Sequence, residues 1–166
     1  MAQQLWLLRH GEAVPHDSKP SDDERELTGR GERQALAAGG ALARLGLEFA
    51  ACYTSPKVRA RDTALLACRA LNVEPEEVAA IASGFDREAA LELLLGHDDA
   101  DARVLVVGHE PDFSRIVHDL GGGRVEFKKG GVAAVRIERG SGSLLALLRP
   151  RELESIAVAA VDVPAS

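Results

Sequence analysis

Three short apolar runs in this chain each stop at a cation or an imidazole, in a turn that leads into a helical pattern. Leu5-Trp6-Leu7-Leu8 runs into Arg9-His10-Gly11-Glu12, and Ala50-Ala51-Cys52-Tyr53-Thr54 runs into Ser55-Pro56, with Arg59 one turn further on. Val104-Leu105-Val106-Val107 runs into Gly108-His109-Glu110-Pro111. The last run is continuous and rich in β-branched residues, the mark of a central strand buried on both faces. Pro56 and Pro111 stand where proline commonly opens a helix. The pattern predicts an α/β fold. In such a sheet the carboxyl ends of the strands meet in one crevice, where ligands bind.

The residues at those ends carry usable chemistry. Arginine is costly to bury without an anion, and histidine becomes a nucleophile when something holds its ring in place. Gly11 lets the backbone turn sharply and come close to a ligand. The chain has a formal net charge of −6. An acidic protein that gathers Arg and His at its strand ends is expected to bind an anion there.

Composition sets the outer limits. The chain has 166 residues, 46% hydrophobic and 28% charged, which suits one globular domain with one core. Aromatic residues make up 4%, so Ala, Leu and Val must fill that core. The acidic balance argues against nucleic acid and anionic membranes as general partners. No apolar run reaches the roughly 18 residues of a membrane span, and the first residues show no secretory leader. Cys52 and Cys68 read as buried small hydrophobes, consistent with a cytoplasmic protein.

Along the chain, residues 3–8 form the first strand and Ala13 to Glu26 a polar loop over the site. Thr28 caps a helix that runs to about Leu45 and is closed by Gly46. A strand at 50–54 precedes a helix from about Pro56 to Leu71. Val78 to Ala82 reads as a short strand, and Asp86 to Leu95 as a helix with Leu91, Leu94 and Leu95 at helical spacing. The strand at 103–107 leads into a helix from Pro111 to about Leu120. Two strands, about 132–138 and 143–149, flank a hairpin turn at Arg139-Gly140-Ser141-Gly142. The core is expected over about 3–150. Residues 151–166 read as a tail, in which Ile156-Ala157-Val158 either packs as an extended segment or stays loose.

Four motifs stand in a fixed order: Arg9-His10-Gly11; Leu27-Thr28-x-x-Gly31-x-x-Gln34-Ala35; Ser55-x-x-x-Arg59-Ala60-x-x-Thr63-Ala64; and Gly108-His109-Glu110-Pro111. Together they resemble the histidine phosphatase superfamily, over roughly residues 5 to 150. The short length and the Gly-His-Glu-Pro form look most like the SixA-type phosphohistidine phosphatases. The resemblance implies a single three-layer α/β/α domain with a mostly parallel central sheet, as in phosphoglycerate mutase. It implies that His10 is the nucleophile, forming a covalent phosphohistidine enzyme, and that Arg9, Arg59 and His109 bind the phosphoryl group. Neither a metal nor another cofactor is expected. The expected substrate is phosphohistidine on a phosphotransfer protein, for instance a histidine phosphotransfer domain. The rivals are a small-molecule phosphomonoesterase of the same superfamily and a phosphate-binding module without turnover.

Residue chemistry agrees with those roles. Each arginine offers a planar fork of donors to a phosphoryl group. His10 must be neutral to attack, and neighbouring cations favour the neutral ring. Its other ring nitrogen should donate to a carbonyl or a carboxylate, fixing the tautomer. Arg61, two positions after Arg59, should face elsewhere. His16, His97 and His118 are not spaced as a metal cluster. Glu12 and Asp86 are the candidate general acids, and neither matches a family position securely. A weak acid suits a phosphohistidine substrate, because imidazole leaves more readily than an alkoxide. Lys128-Lys129-Gly130-Gly131 reads as a solvated turn first, and as part of the rim of an open pocket second. The sequence leaves the oligomeric state open.

Overall fold

The computed structural model describes residues 2–19 and 21–158. Six strands form one sheet in the order β3-β2-β4-β1-β5-β6. Strands β1 (Gln3–Arg9), β2 (Ala51–Thr54), β3 (Pro75–Glu77) and β4 (Arg103–Gly108) run parallel to one another. Strands β5 (Val132–Glu138) and β6 (Ser141–Leu148) form a hairpin that pairs antiparallel to β1. The sheet is therefore mixed and mostly parallel. β1 and β4 sit at its centre and have the most continuously apolar sequences, because both of their faces are covered.

Each face of the sheet carries its own apolar layer. One layer joins Leu8, Leu105 and Val107 to Ala38, Leu42, Ala64 and Ala67 of helices α1 (Gly29–Arg44) and α2 (Val58–Cys68). The other joins Leu5, Leu7, Val104 and Val106 to Leu94, Phe113, Ile116 and Val117 of helices α3 (Arg87–Leu95) and α4 (Asp112–Leu120). Alternate residues of one strand thus feed opposite layers, as the period of two requires. The α/β/α expectation is met. Cys52 and Cys68 are free thiols buried in the first layer.

Alanines and glycines in α1 and α2 allow a close approach. A Cβ on Gly39 would lie 2.1 Å from the Ala67 carbonyl oxygen. Thr28 caps α1 as expected, accepting from the Gly31 amide at 3.1 Å. The hairpin turn is two residues long. Arg139 and Gly140 both have positive φ, at 51° and 79°, as the turn that matches strand twist demands.

Three expectations are corrected. Val78 to Ala82 is not a strand. Ala79–Ala82 forms a short 3-10 turn, and the strand lies earlier at Pro75–Glu77. That strand is an exposed sheet edge, where Pro75 needs no ladder donor and two glutamates replace the apolar alternation. The helix read from Pro56 is regular only over Val58–Cys68. Most important, the segment from Arg151 is neither extended nor loose up to Val158. Helix α5 (Pro150–Val158) packs on the first layer through Leu153, Ile156 and Ala157, with Leu153 fully buried. Those three residues stand at i, i+3 and i+4, one helical face. Residues 159–166 of the expected tail lie outside the described residues.

Candidate active site

The site lies where β1, β2 and β4 end. Arg9 is in register with Gly108, so His10 and His109 leave adjacent strands side by side. Their ring centroids are 5.3 Å apart. Arg59 comes from the first turn of α2, after β2. Arg9, His10, Arg59 and His109 line one cleft of about 510 Å³ together with Pro15, His16, Arg25 and Glu110. Four residues far apart in sequence are thus brought together, as expected.

His10 is buried, and its Nδ1 lies 2.7 Å from the carbonyl oxygen of Gly11. A carbonyl only accepts, so Nδ1 carries the proton and Nε2 keeps its lone pair. Burial pushes the His10 pKa down to about 3, with His109, Arg59 and Arg9 adding to the fall. The ring is therefore neutral at ordinary pH. The loop that holds it is fixed by the motifs around it. A Cβ on Gly31 would lie 2.0 Å from the Glu12 carbonyl oxygen, so α1 starts directly against this loop. The Gly11 amide donates to Thr63 Oγ1 at 3.1 Å, and the Glu12 amide donates to Gln34 Oε1 at 2.9 Å.

His109 Nε2 lies 2.8 Å from Ser55 Oγ. Burial, then Arg59 and Lys57, push the His109 pKa down to about 4, against a pull from Asp22. Arg9 Nη1 donates to the Phe127 carbonyl at 2.8 Å. Three buried polar atoms have no partner among the described residues: Arg9 Nε, Arg59 Nε and His109 Nδ1. All three belong to this cleft. Buried polar atoms without partners are costly, and a bound oxyanion would satisfy the two guanidinium N–H groups, and His109 Nδ1 when it carries a proton.

No sequence motif singles out Asp22, yet it sits at the centre of the contacts around Arg59. Arg59 donates from Nη1 to the Asp22 carbonyl at 2.8 Å and from Nη2 to its carboxylate at 3.0 Å. Arg25 Nε donates to the same carboxylate at 2.8 Å, and His16 Nδ1 lies 3.0 Å from it. Burial works against the Asp22 charge, but Arg59 and Arg25 outweigh it and hold the pKa down to about 2. An acid three residues before an arginine in a polar loop is a weak signal, which only the contact with Arg59 makes visible. Ser55 and Thr63 belong to the third sequence motif, which by itself assigns them no role. The structure gives each a partner.

The carboxylates named from sequence do not join His10. Asp86 caps α3, accepting from the Ala89 amide at 2.9 Å. Glu12 lies in the neighbouring groove, where its Oε2 accepts from Thr28 Oγ1 at 3.0 Å. Glu110 does line the cleft, and its Oε1 accepts from the Ser114 amide at 2.8 Å. Arg61 faces away from the cleft and pairs with Asp62 at 3.4 Å. Among the described residues no cluster of His, Cys, Asp or Glu is arranged to hold a metal ion, and no helix is long and apolar enough to cross a membrane.

The histidine phosphatase superfamily (branch 1) model matches residues 5–82. An uncharacterized protein of Picosynechococcus sp. is 33% identical over 139 residues, covering 80% of this chain and 84% of that protein. The chain belongs to the histidine phosphatase superfamily. A further relative is the mitochondrial serine/threonine-protein phosphatase Pgam5 of Drosophila melanogaster, 37% identical over 89 residues. That match covers 54% of this chain and 29% of Pgam5. Among solved structures, the protein histidine phosphatase SixA complexed with tungstate superposes with a TM-score of 0.81 at 25% identity. It covers 90% of this chain and 99% of SixA.

Proposed function

We propose that this chain is a phosphatase that removes the phosphoryl group from phosphohistidine on a phosphotransfer protein, through a phosphohistidine intermediate on His10. One observation carries the reading. A neutral, tautomer-fixed His10 stands among buried Arg9, Arg59 and His109 atoms that lack acceptors. Superfamily membership supports a phosphatase, and the likeness to SixA supports phosphohistidine as the substrate class.

In this mechanism Arg9, Arg59 and His109 hold the phosphoryl oxygens. The Nε2 lone pair of His10 attacks phosphorus, and the P–N bond to the substrate imidazole breaks. As charge builds on His10, its Nδ1–H goes on donating to the Gly11 carbonyl, which stabilises the cationic ring. A bound phosphoryl group opposes the burial that holds His109 neutral, so substrate binding raises the His109 pKa and favours the protonated, donating ring. One preorganised donor of this kind is commonly worth ~100- to 1,000-fold in rate. Water then attacks phosphorus, releasing inorganic phosphate and returning His10 to its neutral form.

The leaving group decides between the two enzyme readings. An alkoxide needs a proton from an acid, help commonly worth ~100- to 10,000-fold. Asp22 is held ionised, Asp86 caps a helix, and Glu12 is bonded to Thr28. A protonated phosphohistidine can lose its imidazole without such help. Glu110 favours the second reading, a small-molecule phosphomonoesterase, because it lines the cleft.

The test compares kcat/KM for a phosphohistidine protein, a phosphoramidate, an aryl phosphate and an alkyl phosphate. The alkyl phosphate should be the poorest by ~100-fold or more. Glu12→Gln, Asp86→Asn and Glu110→Gln should each barely slow phosphohistidine cleavage. High efficiency on the alkyl phosphate, lost in one of these variants, would replace this reading with the small-molecule one.

A further inference from the structure

Beside the phosphoryl cleft lies a second groove of about 520 Å³. Arg9, Arg30, Lys128, Lys129, Arg149 and Arg151 line it, with Glu12 as the one carboxylate in its wall. The groove draws these side chains from β1, α1, the segment before β5 and the junction of β6 with α5. Arg9 and Lys129 line both spaces, so the groove is continuous with the cleft. Glu126 pairs with Lys128 at 2.7 Å, and Glu152 with Arg149 at 2.8 Å and with Arg151 at 3.8 Å. Arg30 and Lys129 make no ion pair among the described residues. Six cations on one surface are conspicuous in a chain of net charge −6.

We propose that this groove binds an acidic stretch of the phosphorylated protein, next to the phosphorylated side chain. The inference rests on the protein-phosphatase reading above. Charge complementarity identifies the chemistry: a wall of cations beside a phosphoryl cleft selects substrates with further negative charge near the phosphate. Exposure identifies the size of the partner. Sites for small polyanions hold them with a few buried, preorganised polar groups. Apart from Arg9, the cations here are exposed, flexible side chains. Such a rim attracts and orients an extended acidic surface and acts chiefly on association, in a salt-dependent way.

The experiment uses two phosphohistidine peptides matched in length, one with acidic and one with neutral residues around the phosphorylated side chain. At low ionic strength the acidic peptide should have at least ~10-fold higher kcat/KM, through a lower KM. The preference should shrink several-fold in molar salt, where the screening length is about 3 Å. It should vanish in Arg30→Glu/Arg151→Glu, whose folding is checked by its melting curve. Equal turnover of the two peptides would overturn the inference and leave the phosphatase reading standing. Turnover of an aryl phosphate with neither peptide cleaved would overturn the protein-substrate reading and this inference with it. A preference for a small bisphosphate over its monophosphate, lost in the same variant with no peptide preference, would assign the groove to small polyanions instead.

Discussion

The Asp22 carboxylate lies 3.0 Å from Arg59 Nη2, and the Asp22 carbonyl takes Arg59 Nη1 at 2.8 Å. An internal carboxylate therefore occupies the fork of an arginine that is proposed to bind phosphate. It aims the guanidinium, and it also places a negative charge beside an anion site. Asp22→Asn keeps a hydrogen-bonding group and removes the charge. Inorganic phosphate should then inhibit ~3- to 10-fold more strongly, equivalent to about 0.7–1.4 kcal/mol. The figure is kept small because Asp22 is partly exposed and screened. Weaker inhibition by phosphate in the variant would mean that the charge serves to position Arg59 and does not compete with the ligand.

His10→Ala should abolish turnover and leave the melting curve of a folded protein, because the ring sits on the wall of an open cleft. Labelled phosphate should be trapped on the wild-type enzyme by alkaline quench and lost in acid, as a phosphohistidine requires. Substantial turnover by the variant would exclude the covalent route.

Arg59→Lys should lower kcat/KM by at least ~10-fold, about 1.4 kcal/mol of transition-state binding, because an ammonium cannot replace two parallel N–H bonds. Arg61→Lys should be close to neutral, since Arg61 pairs with Asp62 away from the cleft. Matching losses at the two positions would show that the arginine has been misassigned.

Stability should fall as the medium is acidified from about pH 6.5 towards pH 4. Burial holds His10 at about 3 and His109 at about 4 in the folded chain, against roughly 6.5 when unfolded. Between those values the unfolded chain binds more protons, so protonation favours unfolding. Each histidine contributes its stability fully above its unfolded pKa and loses it as pH falls through the folded one. The slope approaches about 1.4 kcal/mol per pH unit for each ring. Denaturant melts at pH 7, 6, 5 and 4.5 should show this slope in the wild type. It should flatten in His10→Asn/His109→Asn, carboxylate titration being common to both. Parallel curves would mean that the rings are not desolvated.

Much of the fold is written locally. The run Val104–Val107 announces a strand covered on both faces, and Thr28 announces the start of α1. The exceptions are local too. Pro75-Glu76-Glu77 hides an edge strand, since an edge can be polar and needs no alternation. The helical face of Leu153, Ile156 and Ala157 is only three residues deep, so its period is apparent only once α1 is there to receive it.

The candidate site divides in the same way. The sequence by itself determined that Arg9, His10, Arg59 and His109 would follow strands whose ends converge, because each sits within a few residues of an apolar run. Tertiary structure alone decided what holds them: the Gly11 carbonyl on His10, Ser55 on His109, Thr63 and Gln34 on the loop of His10, and Asp22 across Arg59. It also set Asp86 as the cap of α3 and gathered six scattered cations into one groove. The physical reason is that strand and helix patterns are periodic and short-range. Hydrogen bonds between residues 22 and 59, or 55 and 109, depend on how separate elements pack, and no local spacing records that.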